Sequence, residues 1–296
     1  MKRRNKKLLY ILFAVVLLIG IIVSNVVRSN SLVRGIKVVV DYNGNDTLVS
    51  TNSIRILIAE QLPTLNSQKV KEVDCQAVAH TVMTNPYVEH CESSVSIGRD
   101  IIVKATQRTP IVRVFLNKVV NIPAQQNASD TQDNATQQKK GDTKTEAHEC
   151  YFDKEGRYVP LSQEGSCNVI IANGHIKEQL SANCASFDAK KMSEDSKLRE
   201  MDIIQLWILA EFLYSHEEYG PLFDQIYVNE NRDLCLVPKV GNHIVILGHA
   251  DNLDKKFHDL LVFYRKAMNQ VGWNTYKQIN LKYKDQLICT ERKDNK

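Results

Sequence analysis

The chain has 296 residues, 43% of them hydrophobic and 24% charged, with a formal net charge of +4. Residues 1–28 hold six basic and no acidic side chains, which leaves 32 basic against 34 acidic groups in the rest. A near-neutral body lacks the clustered Lys and Arg that neutralise phosphates, so the composition argues against a nucleic-acid binder and assigns the basic excess to the N-terminus.

Five of those basic residues, Lys2, Arg3, Arg4, Lys6 and Lys7, stand directly before an uncharged run from Leu8 to Val27. As a helix rising about 1.5 Å per residue, the run spans roughly 30 Å, the thickness of a bilayer's hydrocarbon core. Positive charge is retained on the cytoplasmic side, so the expectation is a basic cytoplasmic tail over 1–7, a single transmembrane helix over 8–27, and an exported body. A cleaved signal peptide fits less well. Its apolar region is about 7–15 residues and ends at a small-x-small site, whereas this run leaves through Ser24-Asn25-Val26-Val27-Arg28. No second stretch of about 18 apolar residues follows.

A connector over 28–35 is too short to carry the next domain far from the membrane. Ile36–Tyr42 reads as a strand and Asn43-Gly44-Asn45 as a turn. Ile54, Leu57, Ile58 and Leu62 recur at helical spacing up to Pro63, and Val78 and Val82 mark a second helix that ends at Asn85-Pro86. Two strands, Tyr87–Ile97 and Ile101–Gln107, flank Gly98-Arg99-Asp100. The order over 36–107 is therefore β-α-α-β-β.

Arg108-Thr109-Pro110 ends that stretch, because proline donates no ladder hydrogen bond. A second domain is expected over 108–290. It opens with an apolar segment, Ile111–Val120, followed by a polar insertion over 121–149 whose only large aliphatic is Ile122. So little apolar surface does not offset ordering entropy, which predicts a mobile loop. Two N-x-[ST] sequons, at Asn127 and Asn134, fall within it. Tyr151–Ser162 reads as a hairpin turning at Lys154-Glu155-Gly156, and Asn168–Ala172 as a strand. A long helix is expected over 194–216, with Leu198, Met201, Ile204, Ile208 and Phe212 on one face. Strands follow at Leu222–Val228, Leu234–Val237 and His243–Leu247. A helix opens at Asn252 and is capped by Gly272. The alternation of Ile279, Leu281 and Tyr283 with Asn280, Lys282 and Lys284 predicts one terminal strand over 278–290, leaving a tail over 291–296. The fold class is α+β.

Seven cysteines (Cys75, Cys91, Cys150, Cys167, Cys184, Cys235 and Cys289) form an odd set. At least one stays unpaired within a single exported chain. Cys235 and Cys289 lie in apolar alternation, where a thiol serves as a small hydrophobe, and Cys75 with Cys91 is the pair to test first. No CxxC or zinc-type spacing occurs. Ser-x-x-Lys, Gly-x-Ser-x-Gly and His-Glu-x-x-His are all missing, so no catalytic, metal or cofactor-binding residue is assigned and the protein is not expected to be an enzyme. His243 and His249 read as structural histidines, and Glu217-Glu218 as a solvated charge pair.

The β-α-α-β-β order beside an anchor resembles a POTRA domain, with Asn85-Pro86-Tyr87-Val88 as the passage from second helix to second strand. Phe152-Asp153-Lys154-Glu155-Gly156 followed by Val159-Pro160-Leu161-Ser162, then Leu247-Gly248, Gly272-Trp273 and Ile279-Asn280-Leu281-Lys282-Tyr283, resembles in order the bacterial cell-division family FtsQ/DivIB. The resemblance covers nearly the whole chain apart from 121–149. It implies a non-enzymatic scaffold of the inner membrane, located at the division septum with its C-terminus in the periplasm. It also implies recruitment of FtsB and FtsL partners by strand addition to the terminal strand, with other divisome proteins meeting the POTRA domain. Gln278, Asn280, Leu281, Lys282, Tyr283 and Lys284 are the partner-binding candidates, Tyr283 and Lys282 matching the family's aromatic-basic pair. A tryptophan that some members carry beyond the tyrosine is replaced by Leu287-Ile288-Cys289-Thr290. Two other classes stay open on the residues alone: a POTRA-bearing chaperone or secretion component, and a membrane-anchored peptidoglycan-processing enzyme.

Overall fold

The computed structural model describes residues 2–44, 46–121, 143–178, 186–284 and 286–292. The chain divides into two compact units, Met1–Arg108 with Ser162–Cys167, and Thr109–Leu161 with Asn168–Lys296. The mixed α+β class expected from the sequence is the one observed. Most of the 121–149 insertion, including both sequons, and Cys184 lie outside the described residues.

The first unit starts with helix α1 (Lys2–Ser29). Its Leu12–Ser29 stretch is apolar and long enough to cross a membrane, and none of it is buried by protein. Strand β1 (Gly35–Asp41), helices α2 (Thr51–Gln61) and α3 (Cys75–Met83), and strands β2 (Val88–Val95) and β3 (Asp100–Gln107) follow. The three strands form one sheet in the order β1-β3-β2, with β1 parallel and β2 antiparallel to β3. Helix starts are fixed by side-chain caps: Ser50 accepts from Ser53 N–H, and Asp74 from the N–H groups of Gln76 and Ala77. Ile54, Ile58, Val78 and Val82 face Ile101 and Val103 in the core. Gln107 is fully buried there and satisfied: its Oε1 accepts from Leu48 N–H at 2.7 Å and its Nε2 donates to Asp46 O at 2.9 Å. Cys75 and Cys91, the pair to test first, carry free thiols and are not bonded; burial pushes the Cys91 thiol up to about 11.

Ser162–Cys167 belongs to this first unit, whereas the sequence places it in the second domain. Ser162 Oγ donates to Leu48 O at 2.6 Å, and Glu164 accepts from the Ser50 N–H and the Ser53 hydroxyl at the start of α2. A carboxylate at a helix N-terminus is favoured both by the orphan N–H groups and by the helix dipole. No periodicity signals such a contact, because it joins residues more than a hundred positions apart.

The second unit is one nine-stranded mixed sheet with its helices. The strands are β4 (Pro110–Asn121), β5 (Thr143–Asp153), β6 (Tyr158–Pro160), β7 (Ile170–Gly174), β8 (Phe223–Val228), β9 (Leu234–Pro238), β10 (Ile244–Gly248), β11 (Tyr276–Asn280) and β12 (Ile288–Glu291). Their order is β12-β11-β10-β9-β8-β7-β4-β5-β6. Thr143–Glu149, read from sequence as part of a loop, pairs with β4 from Asn121 back to Phe115. The stretch has no large aliphatic of its own, and backbone hydrogen bonds to β4 give it its order.

Helices α4 (Ala189–Met192), α5 (Asp202–Ser215) and α6 (Leu253–Phe263) belong to the same unit. The helix expected from 194 begins only at Asp202, because Asp195 accepts from Lys197 and Leu198 N–H and holds a separate turn. Ten of the fourteen α5 residues are buried, among them Ile203, Ile204, Leu206 and Leu209. The α6 helix continues through a π turn at Tyr264–Met268 to Val271, where Gly272 ends it. The hairpin Asp153–Gly156 is a side-chain-stabilised turn: Asp153 Oδ1 accepts from Glu155 N–H at 3.0 Å and Arg157 N–H at 2.7 Å. Gly156 has φ +77°, and a Cβ there would sit 2.5 Å from Lys190 N. Only glycine fits.

Phe257 is the hub of an aromatic cluster, with ring centroids at 5.0 Å to Phe212, 5.1 Å to Tyr219 and 5.9 Å to Phe223. Phe257→Ala should destabilise this unit by about 3–5 kcal/mol in urea unfolding. His243 is buried and its Nε2 lies 2.7 Å from the Tyr264 hydroxyl. Burial holds its pKa below the ordinary value, against an opposing interaction with the Trp273 carbonyl. The unfolded chain therefore takes up a proton that the folded one resists, and stability should be full above about pH 6.5 and decline as pH falls through it. Thermal melts of His243→Gln between pH 8 and 5, values bracketing that midpoint by roughly 1.5 units, should show a shallower decline than the parent.

Candidate functional site

The six partner-binding candidates lie at the β12 end of the large sheet. One terminal strand over 278–290 is expected from sequence, but the structure contains two: β11 and β12 form an antiparallel hairpin, with Gln278 opposite Thr290 and Asn280 opposite Ile288. The break comes after Asn280. Its Oδ1 accepts from Lys282 N–H at 3.0 Å, an Asx turn that diverts the backbone from the extended path. Gln286 N–H then bonds to Tyr283 O, closing the reversal. The last strand remains at the sheet edge, but that strand is β12, and β11 is paired on both sides.

This rearrangement separates the six residues. Gln278 and Asn280 sit within β11, between β10 and β12. Leu281 is 4% exposed, and its N–H donates to Ile246 O at 2.8 Å, extending the ladder with β10. Lys282 is engaged internally: its Nζ lies 2.7 and 2.9 Å from the two carboxylate oxygens of buried Asp233. Gly248, at φ +75°, makes room for its stem, since a Cβ there would fall 2.9 Å from Lys282 Cγ. Tyr283, 54% exposed, and Lys284 face solvent.

Leu281–Lys284 and Gln286 form one wall of a cleft of about 330 Å³, and Asp251, Asn252, Lys255, Lys256 and Asp259 form the other. Asn252, with φ +49°, sets the start of α6 so that these side chains share one end of the helix. Lys256 Nζ donates to Leu247 O at 2.9 Å and His249 O at 3.0 Å and pairs with Asp251. Burial raises the Asp251 pKa, but the hydrogen bond and charge of Lys256 outweigh it and hold the carboxyl below the ordinary range. The cleft is thus lined with charges of both signs and carries an aromatic at its rim. None of the α6 residues was among the sequence candidates; the only signal for them was helical spacing, which marks the buried face rather than the exposed one.

The strand alternation shows which groups of β12 remain open. Leu281 N–H points to β10, so the groups of Ile279 do as well, and those of Gln278 and Asn280 point to β12. Thr290 and Ile288 point back at them, which leaves the N–H and C=O of Cys289 on the outer side. Among the described residues no strand pairs with that side. No group of three His, Cys, Asp or Glu placed to hold a metal occurs among the described residues. His249 lies 3.5 Å from Glu200, away from His243, and Glu217 and Glu218 are exposed.

Two substitutions separate structural from exposed residues in this cleft. Lys282→Met leaves the buried Asp233 carboxylate without its cation and should cost about 1–3 kcal/mol in urea unfolding. Tyr283→Ala should stay within about 0.5 kcal/mol of the parent.

A comparison with curated proteins returned no match. A family model described as "FtsQ/DivIB, C-terminal related" matches residues 143–290, half of the chain. The match covers β5 through β12, the same strands and helices that build the β12 edge and the cleft beside it. The protein therefore belongs to the FtsQ/DivIB-related family of cell-division proteins.

Proposed function

We propose that the protein is a non-enzymatic, membrane-anchored scaffold of the division septum, which captures FtsB- and FtsL-type partners by adding a partner strand to the outer edge of β12. The observation that carries this reading is the open side of β12, with the Cys289 backbone groups facing outward at the end of a nine-stranded sheet. An edge strand templates a further strand through its free N–H and C=O groups, while neighbouring side chains supply selectivity. Tyr283 and Lys284 stand exposed beside that edge as side-chain contacts, Tyr283 contributing rigid area at small entropy cost. Leu281 and Lys282 act indirectly, holding the hairpin in place through Ile246 and Asp233.

In this reading residues 36–107 form a POTRA domain and 108–290 the β domain, with the basic tail in the cytoplasm and the body outside. The family match and the β-α-α-β-β order support it. Partners with anchors of their own then meet the scaffold in one plane, where effective concentration is high and modest contacts suffice.

The test is capture of an FtsB–FtsL pair by full-length variants. Cys289→Pro removes the outward donor while sparing the hydrogen bonds of Ile288 and Thr290 to β11, and should weaken capture at least about tenfold. Tyr283→Glu should also reduce capture without lowering thermal stability. Full capture by both folded variants rejects strand addition. Leu281→Pro is a poor test, because it breaks the bond to Ile246 inside the sheet.

A further inference from the structure

The turn between β2 and β3 carries a largely exposed isoleucine. Ile97 is 87% exposed, the most exposed large hydrophobic residue among those described. The turn itself is rigid. Ser96 N–H bonds to Asp100 O at 2.8 Å, Asp100 N–H to Ser96 Oγ at 3.1 Å, and Arg99 takes φ +68° to close the loop. A single exposed isoleucine is ordinary. Its position is not.

The turn lies against α1. Arg28 Nη2 donates to Ser96 O at 2.9 Å, fixing the helix to the hairpin tip. From that bond a groove of about 610 Å³ runs between Ile97 and one face of the helix, along Ser24, Ile21, Gly20 and Leu17. These residues recur at helical spacing, so they form one stripe, and Gly20 and Ser24 make it shallow. All of them precede Arg28 within the uncharged run that reads as the membrane anchor. Ile97 therefore reaches past the last charged residue of α1 toward hydrocarbon. The base of the turn is cationic. Arg34 N–H donates to Arg99 O at 2.9 Å, which brings both exposed guanidinium-bearing residues together near Arg28, and Lys37 lies 2.6 Å from Asp100, the carboxylate among them. An apolar tip beside a cluster of basic residues matches a bilayer boundary, with acyl chains below and phosphates at the level of the charges.

We infer that the β2–β3 turn is a second membrane contact: Ile97 enters the leaflet on its own side of the bilayer beside Gly20 and Ile21, lipid chains fill the groove, and Arg28, Arg34 and Arg99 meet lipid phosphates. This rests on the reading of α1 as a membrane anchor. The contact fixes the first unit against the bilayer surface instead of leaving it to swing on a connector.

The full-length protein, reconstituted in vesicles of phosphatidylethanolamine with a minority of phosphatidylglycerol, tests this by photocrosslinking. p-Benzoylphenylalanine is placed at position 97 or, as the anchor control, in place of Ile19 on the opposite face of α1, and adducts are identified by mass spectrometry. The expected result is a lipid adduct at 97 comparable in yield to that at 19. Lipid adducts at 19 with none at 97 overturn the inference while leaving the anchor intact. A crosslink from 97 to a second protein chain also overturns it, since a helix then fills the groove. Loss of the lipid adduct at both positions overturns the anchor reading and this inference with it.

Discussion

The second unit depends on the burial of α5 on nearly all its sides. A helix apolar around its circumference has no stable exposed state, so the sheet and the other helices must close over it. Its few polar groups are therefore satisfied internally. Trp207 Nε1 donates to Asp153 O at 3.0 Å, Gln205 Oε1 accepts from Ala250 N–H at 2.6 Å, and Asp202 pairs with Arg232 at 2.7 Å. Each bond ties α5 to a different piece of chain: the β5–β6 turn, the start of α6 and the β8–β9 turn. Leaving any of these groups unpaired in a low-dielectric core costs more than the bond itself contributes, so the bonds specify one arrangement of the elements around the helix.

That arrangement determines where the sheet ends. Strand β10 is buried along most of its length, and β11 joins it in parallel after the α6 crossover. Parallel neighbours need such a long connection, and here it delivers the chain to the far side of β10 with one hairpin still to form. The Asx turn at Asn280 sets the length of β11, and the Lys282–Asp233 pair draws the start of the connecting loop back toward β9. The edge strand, the exposed Tyr283 and the cleft beside α6 are consequences of the same few bonds. Recruitment through this edge would use backbone groups that the fold leaves open, and no reactive side chain is required for it.

Two motifs that resemble the family pattern have structural roles. The Asp153…Gly156 turn is held by Asp153 and by the close approach of Lys190, which only a glycine permits. Ser162, at the end of Pro160-Leu161-Ser162, bonds to Leu48 in the first unit. Cys235 likewise packs: burial pushes its thiol up to about 11, with the Asp233 charge adding to it, which makes it a poor nucleophile.

Much of the first unit was legible in the sequence because its signals are local. The anchor is a matter of length and apolarity, α2 and α3 announce themselves by apolar spacing and by their ends at Pro63 and Asn85-Pro86, and β2 and β3 flank an evident turn. In the second unit the hairpin at Gly156 and the helix at Leu253 were equally plain. The terminal strand was not. Residues 278–290 alternate well enough to pass for one strand, and only the competition between Asn280's side chain and the ladder, with Lys282 drawn to Asp233, divides it. The nine-strand order, the strand left at the edge and the passage of Ser162–Cys167 into the first unit were decided by tertiary structure alone. Periodicity reports which face of an element is buried, whereas pairing partners and edges follow from contacts between residues far apart in the chain, which no local pattern encodes.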